Sequence, residues 1–147
     1  MHYPFDEFAS DVRHLARAIR DRFDAQALVA VSRGGMTLGH ALAVALANRN
    51  LFAINAVHYE GERRLDTVKL FNVPDLSGFA RVLLIDDIVD SGETMTAIRE
   101  LLASRYPALE VRVASLFYKR GACVQPDFTR HEAHDWMTFF WDITLND

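Results

Sequence analysis

The sequence predicts an α/β protein with a mainly parallel sheet flanked by helices, and three observations carry that prediction. Short apolar runs alternate with stretches of helical periodicity, two of the runs end in loops of glycine and small polar residues, and no repeat, linker or low-complexity tract divides the 147 residues. Strands that alternate with helices imply right-handed crossovers and a sheet covered on both faces.

Phe5, Phe8, Val12, Leu15, Ile19 and Phe23 recur at spacings of three and four, the apolar stripe of an amphipathic first helix. Ala27 to Val31 reads as a short buried strand that runs into Ser32-Arg33-Gly34-Gly35. Thr37 opens a second helix, with Leu38, Ala41, Leu42, Ala45 and Leu46 on one face, and Phe52 to Tyr59 is the next strand. Residues 60–75, mixed and charged with a proline near the end, are expected to form a mobile loop with room for a short hairpin. Val82 to Ile85 is a strand, and Glu93 to Arg105 a helix that turns Met95, Ile98, Leu101 and Leu102 inward, with Pro107 just beyond its end. Val111 to Tyr118 completes the alternation. From Lys119 the pattern breaks, and Trp136, Phe139, Phe140 and Trp141 make the tail too aromatic for a disordered extension.

Composition narrows the function. The net charge of −4 and pI near 5.8 speak against a general nucleic-acid surface, so no nucleic-acid partner is expected. One cysteine, Cys123, excludes an internal disulfide and fits a reducing compartment. The first residues show no basic stretch followed by an apolar run, and nothing approaches the roughly 18 uninterrupted apolar residues of a membrane span. The expectation is a soluble, cytoplasmic chain without a transmembrane segment.

The stretch VLLIDDIVDSGET, Val82 to Thr94, needs a ligand to explain it. Asp86 and Asp87 repel each other at a strand end, where ligands of open parallel sheets bind. Asp90-Ser91-Gly92-Glu93-Thr94 then leads into a helix N-terminus, where free backbone N–H groups and the helix dipole make a phosphate site. Ser91 and Thr94 add hydroxyl donors. The carboxylates suit sugar hydroxyls or Mg²⁺. Ser91 as a plain helix cap leaves the acid pair unexplained, and no GxxxxGK[ST] stretch supports a P-loop ATPase.

Val82 to Thr94 resembles the phosphoribosyl-pyrophosphate (PRPP) motif of the type I phosphoribosyltransferases: an apolar strand, two acids, two apolar residues, then Asp-[Ser/Thr]-Gly-x-Thr. Val29 to Gly35, VAVSRGG, resembles the pyrophosphate loop of the xanthine-guanine branch, and Trp136 to Asp142 its W-x-x-x-x-W-D purine-pocket segment. The resemblance implies one domain over 1–147, with a core to about residue 118 and a small C-terminal hood over about 119–147. It implies transfer of the 5-phosphoribosyl group from PRPP to N9 of a 6-oxopurine (guanine, xanthine or hypoxanthine), giving a purine nucleoside monophosphate and pyrophosphate.

By the same resemblance Arg33, Gly34, Arg64, Asp86, Asp87, Asp90, Ser91, Gly92, Glu93 and Thr94 bind PRPP or nucleotide, with Asp87 the Mg²⁺-linked residue. Asp90 faces N7 of the base and manages its proton. Lys119 donates to O6, Trp136 stacks on the purine, and backbone groups at Met137 read its edge. A homodimer or homotetramer is implied. Two departures qualify the match: residues 60–75 differ in length and composition, and Thr138 and Phe139 replace more polar residues in the base pocket. The rivals are transfer to adenine or a pyrimidine, and a non-catalytic regulator that binds PRPP or nucleotide on the same fold. His131 and His134 are expected to be solvated, and Cys123 inert.

Overall fold

The computed structural model describes residues 1–59 and 67–146. In chain order it contains β1 (His2–Tyr3), α1 (Phe5–Arg22), β2 (Ala27–Ser32), α2 (Met36–Ala45), β3 (Leu51–Tyr59), β4 (Thr67–Phe71), β5 (Arg81–Val89), α3 (Glu93–Arg105), β6 (Glu110–Tyr118), β7 (His131–Glu132) and β8 (Thr138–Phe139). Strands β4-β3-β2-β5-β6-β7 form one sheet in that order. Every pairing in it is parallel except β3 with β4, which is antiparallel. The sheet is therefore mostly parallel and flanked by helices, as the alternation of apolar runs predicts.

Period-two alternation sorts the central strand between two cores. Leu83 and Ile85 of β5 join Phe8, Val12, Leu15 and Ile19 of α1 and Leu38 and Leu42 of α2 on one face. Val82 and Leu84 point the other way, onto Met95, Ile98 and Leu102 of α3. Such continuous apolar strands are what burial on both faces requires. No helix among the described residues is long and apolar enough to cross a membrane.

The aromatic tail packs as structure. Tyr3, Phe8, Phe117, Phe139 and Trp141 form a set of edge-on contacts, with Phe139 stacked on Trp141 at 4.6 Å. β1 pairs in parallel with β8, so the first residues hold the last aromatic segment against the body. Phe5, which belongs to the apolar stripe by spacing, is largely exposed and meets Phe140 edge-on.

One buried acid ties these parts together. Asp11, on α1, is 2% exposed. It accepts hydrogen bonds from the Tyr3 hydroxyl at 2.5 Å and Arg130 Nε at 2.9 Å, and its Oδ2 lies 2.7 Å from His131 Nε2. Burial, and then the bond to Asp11, push the Tyr3 phenol well above its usual range. His131 is thus not the solvated side chain expected from sequence. Glu7 and Asp11, distant in sequence, stand beside it, the three close enough together to hold a metal ion. Both oxygens of Asp11 are already engaged by Arg130, Tyr3 and His131, so the cluster is fully accounted for as a clasp. Asp11→Ala, which strands a guanidinium and a buried phenol, is expected to cost about 3 kcal/mol in urea unfolding. Tyr3→Phe, which removes one hydrogen bond, should cost about 1 kcal/mol.

Candidate active site

The carboxyl ends of β2, β3 and β5 open onto a cleft of about 270 Å³. Ser32, Arg33 and Gly34 line it from the end of β2. Asp86 and Asp87 line it from β5, and Asp90, Ser91, Gly92 and Thr94 from the turn into α3. This is where ligands of open parallel sheets bind.

The cleft exists because β2 and β5 part. Their pairing ends at Ala30 with Ile85, yet β5 runs on to Val89, held on its other side by β6 through Ile88 with Phe117 and Val89 with Tyr118. The strand runs four residues beyond the end of the apolar run Val82 to Ile85, because one paired edge suffices to keep Asp86 to Val89 extended. The Arg33-Gly34-Gly35 turn occupies the gap, and the Ser32–Arg33 peptide is cis.

Close approach to backbone makes Gly35 obligatory, and a side chain at Gly34 would displace the Asp87 carboxylate. A Cβ at Gly35 would lie 2.3 Å from the carbonyl oxygen of Ile85 and 2.9 Å from Asp86 Cα. At Gly34 it would lie 2.7 Å from both carboxylate oxygens of Asp87. The turn and the acid pair are therefore one packed unit.

The two carboxylates are half-buried. Asp86 Oδ1 accepts the backbone N–H of Asp87 at 2.9 Å, and Asp87 Oδ1 that of Ile88 at 2.7 Å. No cation lies within salt-bridge distance of either among the described residues, although Arg33 shares the cleft. Burial first, and then repulsion from Asp87, raise Asp86 well above the usual carboxylate range. Burial also raises Asp87, against the lowering effect of its hydrogen bonds, and Asp142 adds to the repulsion. Two adjacent acids with hard oxygen donors fit a Mg²⁺ ion or ligand hydroxyls.

Across the cleft, Gly92 caps α3 with φ of +89°, a left-handed conformation that suits glycine. A Cβ there would lie 2.7 Å from the amide nitrogen of Val124. Ser91 Oγ accepts the Glu93 N–H at 3.2 Å, and Thr94 stands one residue further on. First-turn amides have no intrahelical acceptor, so this end of α3 offers donors to an anion.

The remaining sequence-predicted residues lie at differing distances from this cleft. Lys119, at the end of β6, reaches it through an ion pair of its Nζ with Asp90 Oδ1 at 2.9 Å. The Glu93 side chain belongs to α3 and is not part of the cleft lining. Trp136 is 85% exposed. Met137 is half-buried against the aromatic cluster and lines a neighbouring cavity with Glu7 and His131. The assignment of Arg64 falls outside the described residues. Two residues with no predicted role also stand here. His58, near the end of β3, lines the cleft with its Nε2 3.4 Å from Thr94 Oγ1. Asp142 repels Asp87 from the tail. Counting to the carboxyl end of the β3 strand would have found the first, and the W-x-x-x-x-W-D spacing contained the second.

A phosphoribosyl transferase domain model matches residues 4–147. The chain belongs to the phosphoribosyltransferase family. Among curated phosphoribosyltransferases, the xanthine-guanine phosphoribosyltransferase of Chromohalobacter salexigens is 29% identical over 143 residues, covering 95% of this chain and 82% of the relative. That of Roseobacter denitrificans is 29% identical over 162 residues, covering 98% of this chain and 86% of the relative. The solved xanthine-guanine-hypoxanthine phosphoribosyltransferase of Helicobacter pylori is 33% identical, covers 97% of this chain and 93% of its own, and superposes with a TM-score of 0.89. The type I phosphoribosyltransferase fold and the xanthine-guanine likeness read from three short stretches thus extend over nearly the whole chain.

The raised acid pair of this phosphoribosyltransferase has a consequence for stability. With folded-state values raised, the folded chain keeps protons that the unfolded chain releases. Stability therefore falls as pH rises from the ordinary carboxylate value near 4 through the raised values. Asp86→Asn keeps the oxygen that accepts the Asp87 N–H and removes one charge. It should raise the melting temperature at neutral pH without divalent cation, by about 4 °C per ~1 kcal/mol of relieved repulsion. The gain should vanish at pH 4 in calorimetry.

Proposed function

We propose that this chain transfers the 5-phosphoribosyl group of PRPP to N9 of a 6-oxopurine, releasing pyrophosphate in a purine-salvage reaction. One observation carries the reading: an acid pair, a glycine turn and a helix-terminal hydroxyl loop share a single cleft. Those are separate needs of one substrate, met by ribose hydroxyls at Asp86 and Asp87, pyrophosphate at Arg33 and the Gly34 amide, and the 5′-phosphate at Ser91, Gly92, Thr94 and the first turn of α3. The base identity follows the names of the relatives together with Lys119, Asp90 and the tryptophan-rich tail.

In the reaction N9 attacks C1 of the ribose, and the bond to pyrophosphate breaks with its electron pair on the leaving oxygen. Positive charge builds on the ring and negative charge on the leaving group. Arg33 and the Gly34 amide stabilise the latter, while the loop at α3 holds the sugar phosphate in line. A Mg²⁺ ion held through Asp87, with Asp86 and Asp142 adding negative charge beside it, would supply further neutralisation of the pyrophosphate when bound.

Asp90 and Lys119 begin as an ion pair with side chains 65% and 47% exposed. A pair that wet contributes only about 0–1 kcal/mol, so an entering base exchanges it at little cost. Lys119 then donates to O6, and Asp90 accepts the imidazole proton that N9 substitution displaces. The exposed Trp136 ring is free to stack on the purine as the hood closes, with the backbone of Met137 at its edge.

Two substitutions separate the base pocket from the PRPP site. Trp136→Ala should weaken guanine by about 1–3 kcal/mol, the scale of one stacked base, and leave PRPP binding without base unchanged. Lys119→Met keeps the aliphatic stem and should lower kcat/KM for guanine by about tenfold or more, with adenine gaining relative to guanine. Loss of PRPP affinity with unaltered base preference in both variants would contradict the assignment.

A further inference from the structure

We propose that His58 is a binding residue for the 5′-phosphate, donating Nε2–H to a phosphomonoester oxygen from the wall opposite α3; this rests on the phosphoribosyl-transfer reading of the cleft. His58 is exposed and lies on β3, one residue from the end of the strand, where the sheet opens. Its neighbour across the antiparallel ladder is Val68, which offers the imidazole no polar side chain. Its ring instead turns toward Thr94, with Nε2 3.4 Å from the hydroxyl oxygen. That separation is at the long limit of a hydrogen bond, so the two groups face a common space without being spent on each other.

A phosphate terminus presents three oxygens and two negative charges. The amides at the start of α3 and the Thr94 hydroxyl approach it from one side only, and neither carries a charge. Among the described residues, the other charged side chains lining the cleft are Arg33, at the glycine turn, and the acids Asp86, Asp87 and Asp90. Arg33 is assigned to pyrophosphate, and the acids repel an anion. His58 is the imidazole donor on the remaining wall. It acts as a neutral donor with its proton on Nε2, or as a cation in a shorter, charge-assisted bond.

The competing role is steric: His58 steadies the Thr94 rotamer and touches no ligand. Calorimetry with GMP, PRPP and pyrophosphate separates the two. His58→Ala should weaken GMP and PRPP by about tenfold, the scale of one charge-assisted hydrogen bond, and leave pyrophosphate within about twofold. His58→Gln, whose side-chain amide nitrogen stands close to the place of Nε2, should recover most of the loss. Wild-type affinity for GMP in His58→Ala would overturn the inference, as would an equal loss for pyrophosphate and GMP. If the wild-type protein bound neither GMP nor PRPP, the reading of the cleft itself would fall.

Discussion

The contact between the Arg33-Gly34-Gly35 turn and the Asp86–Asp87 pair is the constraint on which the rest of the site depends. Gly35 brings backbone within a distance of β5 that no side chain tolerates, and Gly34 leaves room for the Asp87 carboxylate. That approach lets the turn after β2 lie in the gap where β2 and β5 part. It also crowds two carboxylates into a half-buried place, with no cation in salt-bridge reach of either among the described residues. Folding alone gains nothing from such an arrangement, since both acids are raised by burial and repulsion. A cation or ligand hydroxyls bound as proposed would release that repulsion, so substrate affinity and the repulsion in the free protein would have one origin.

The residues from Lys119 onward are built onto this cleft. Cys123 N–H donates to the Ser91 carbonyl at 2.8 Å, and Cys123 and Val124 crowd Gly92, so the start of the tail buttresses the turn into α3. Lys119 pairs with Asp90, and Asp142 stands near Asp87. Between those points the chain returns to the body through the Asp11 clasp and the pairing of β8 with β1. The parts proposed to hold base and the parts proposed to hold PRPP are thus mechanically coupled. Trp136 itself remains outside the packing, unlike Phe139 and Trp141.

Much of this was legible from sequence, for identifiable reasons. Helices with a full apolar stripe, such as α1 and α3, declare themselves by period alone, and α3 has the predicted bounds Glu93 to Arg105. The start of α3 was readable because Ser91 and Gly92, small turn residues, stand directly before its apolar period. What escaped depended on partners far away in the chain. The extension of β5 through two acids is set by β6, and polarity hid it. The hairpin strand β4, for which the sequence left room within 60–75, sits in a segment whose charges mask its bounds; its Lys69 lies over the Phe71 ring. His131 looked solvated because Asp11, 120 residues away, is the partner that buries it. His58 escaped for a similar reason: a lone histidine at a strand end carries no motif, and its value comes from Thr94 across the cleft.

The most direct test of the account is pyrophosphate release from PRPP and Mg²⁺ with guanine, xanthine, hypoxanthine, adenine and uracil supplied separately. The account predicts release with one or more of the 6-oxopurines, little with adenine, and none with uracil or without base. Release with none of the purines, or a preference for adenine or uracil, would contradict it.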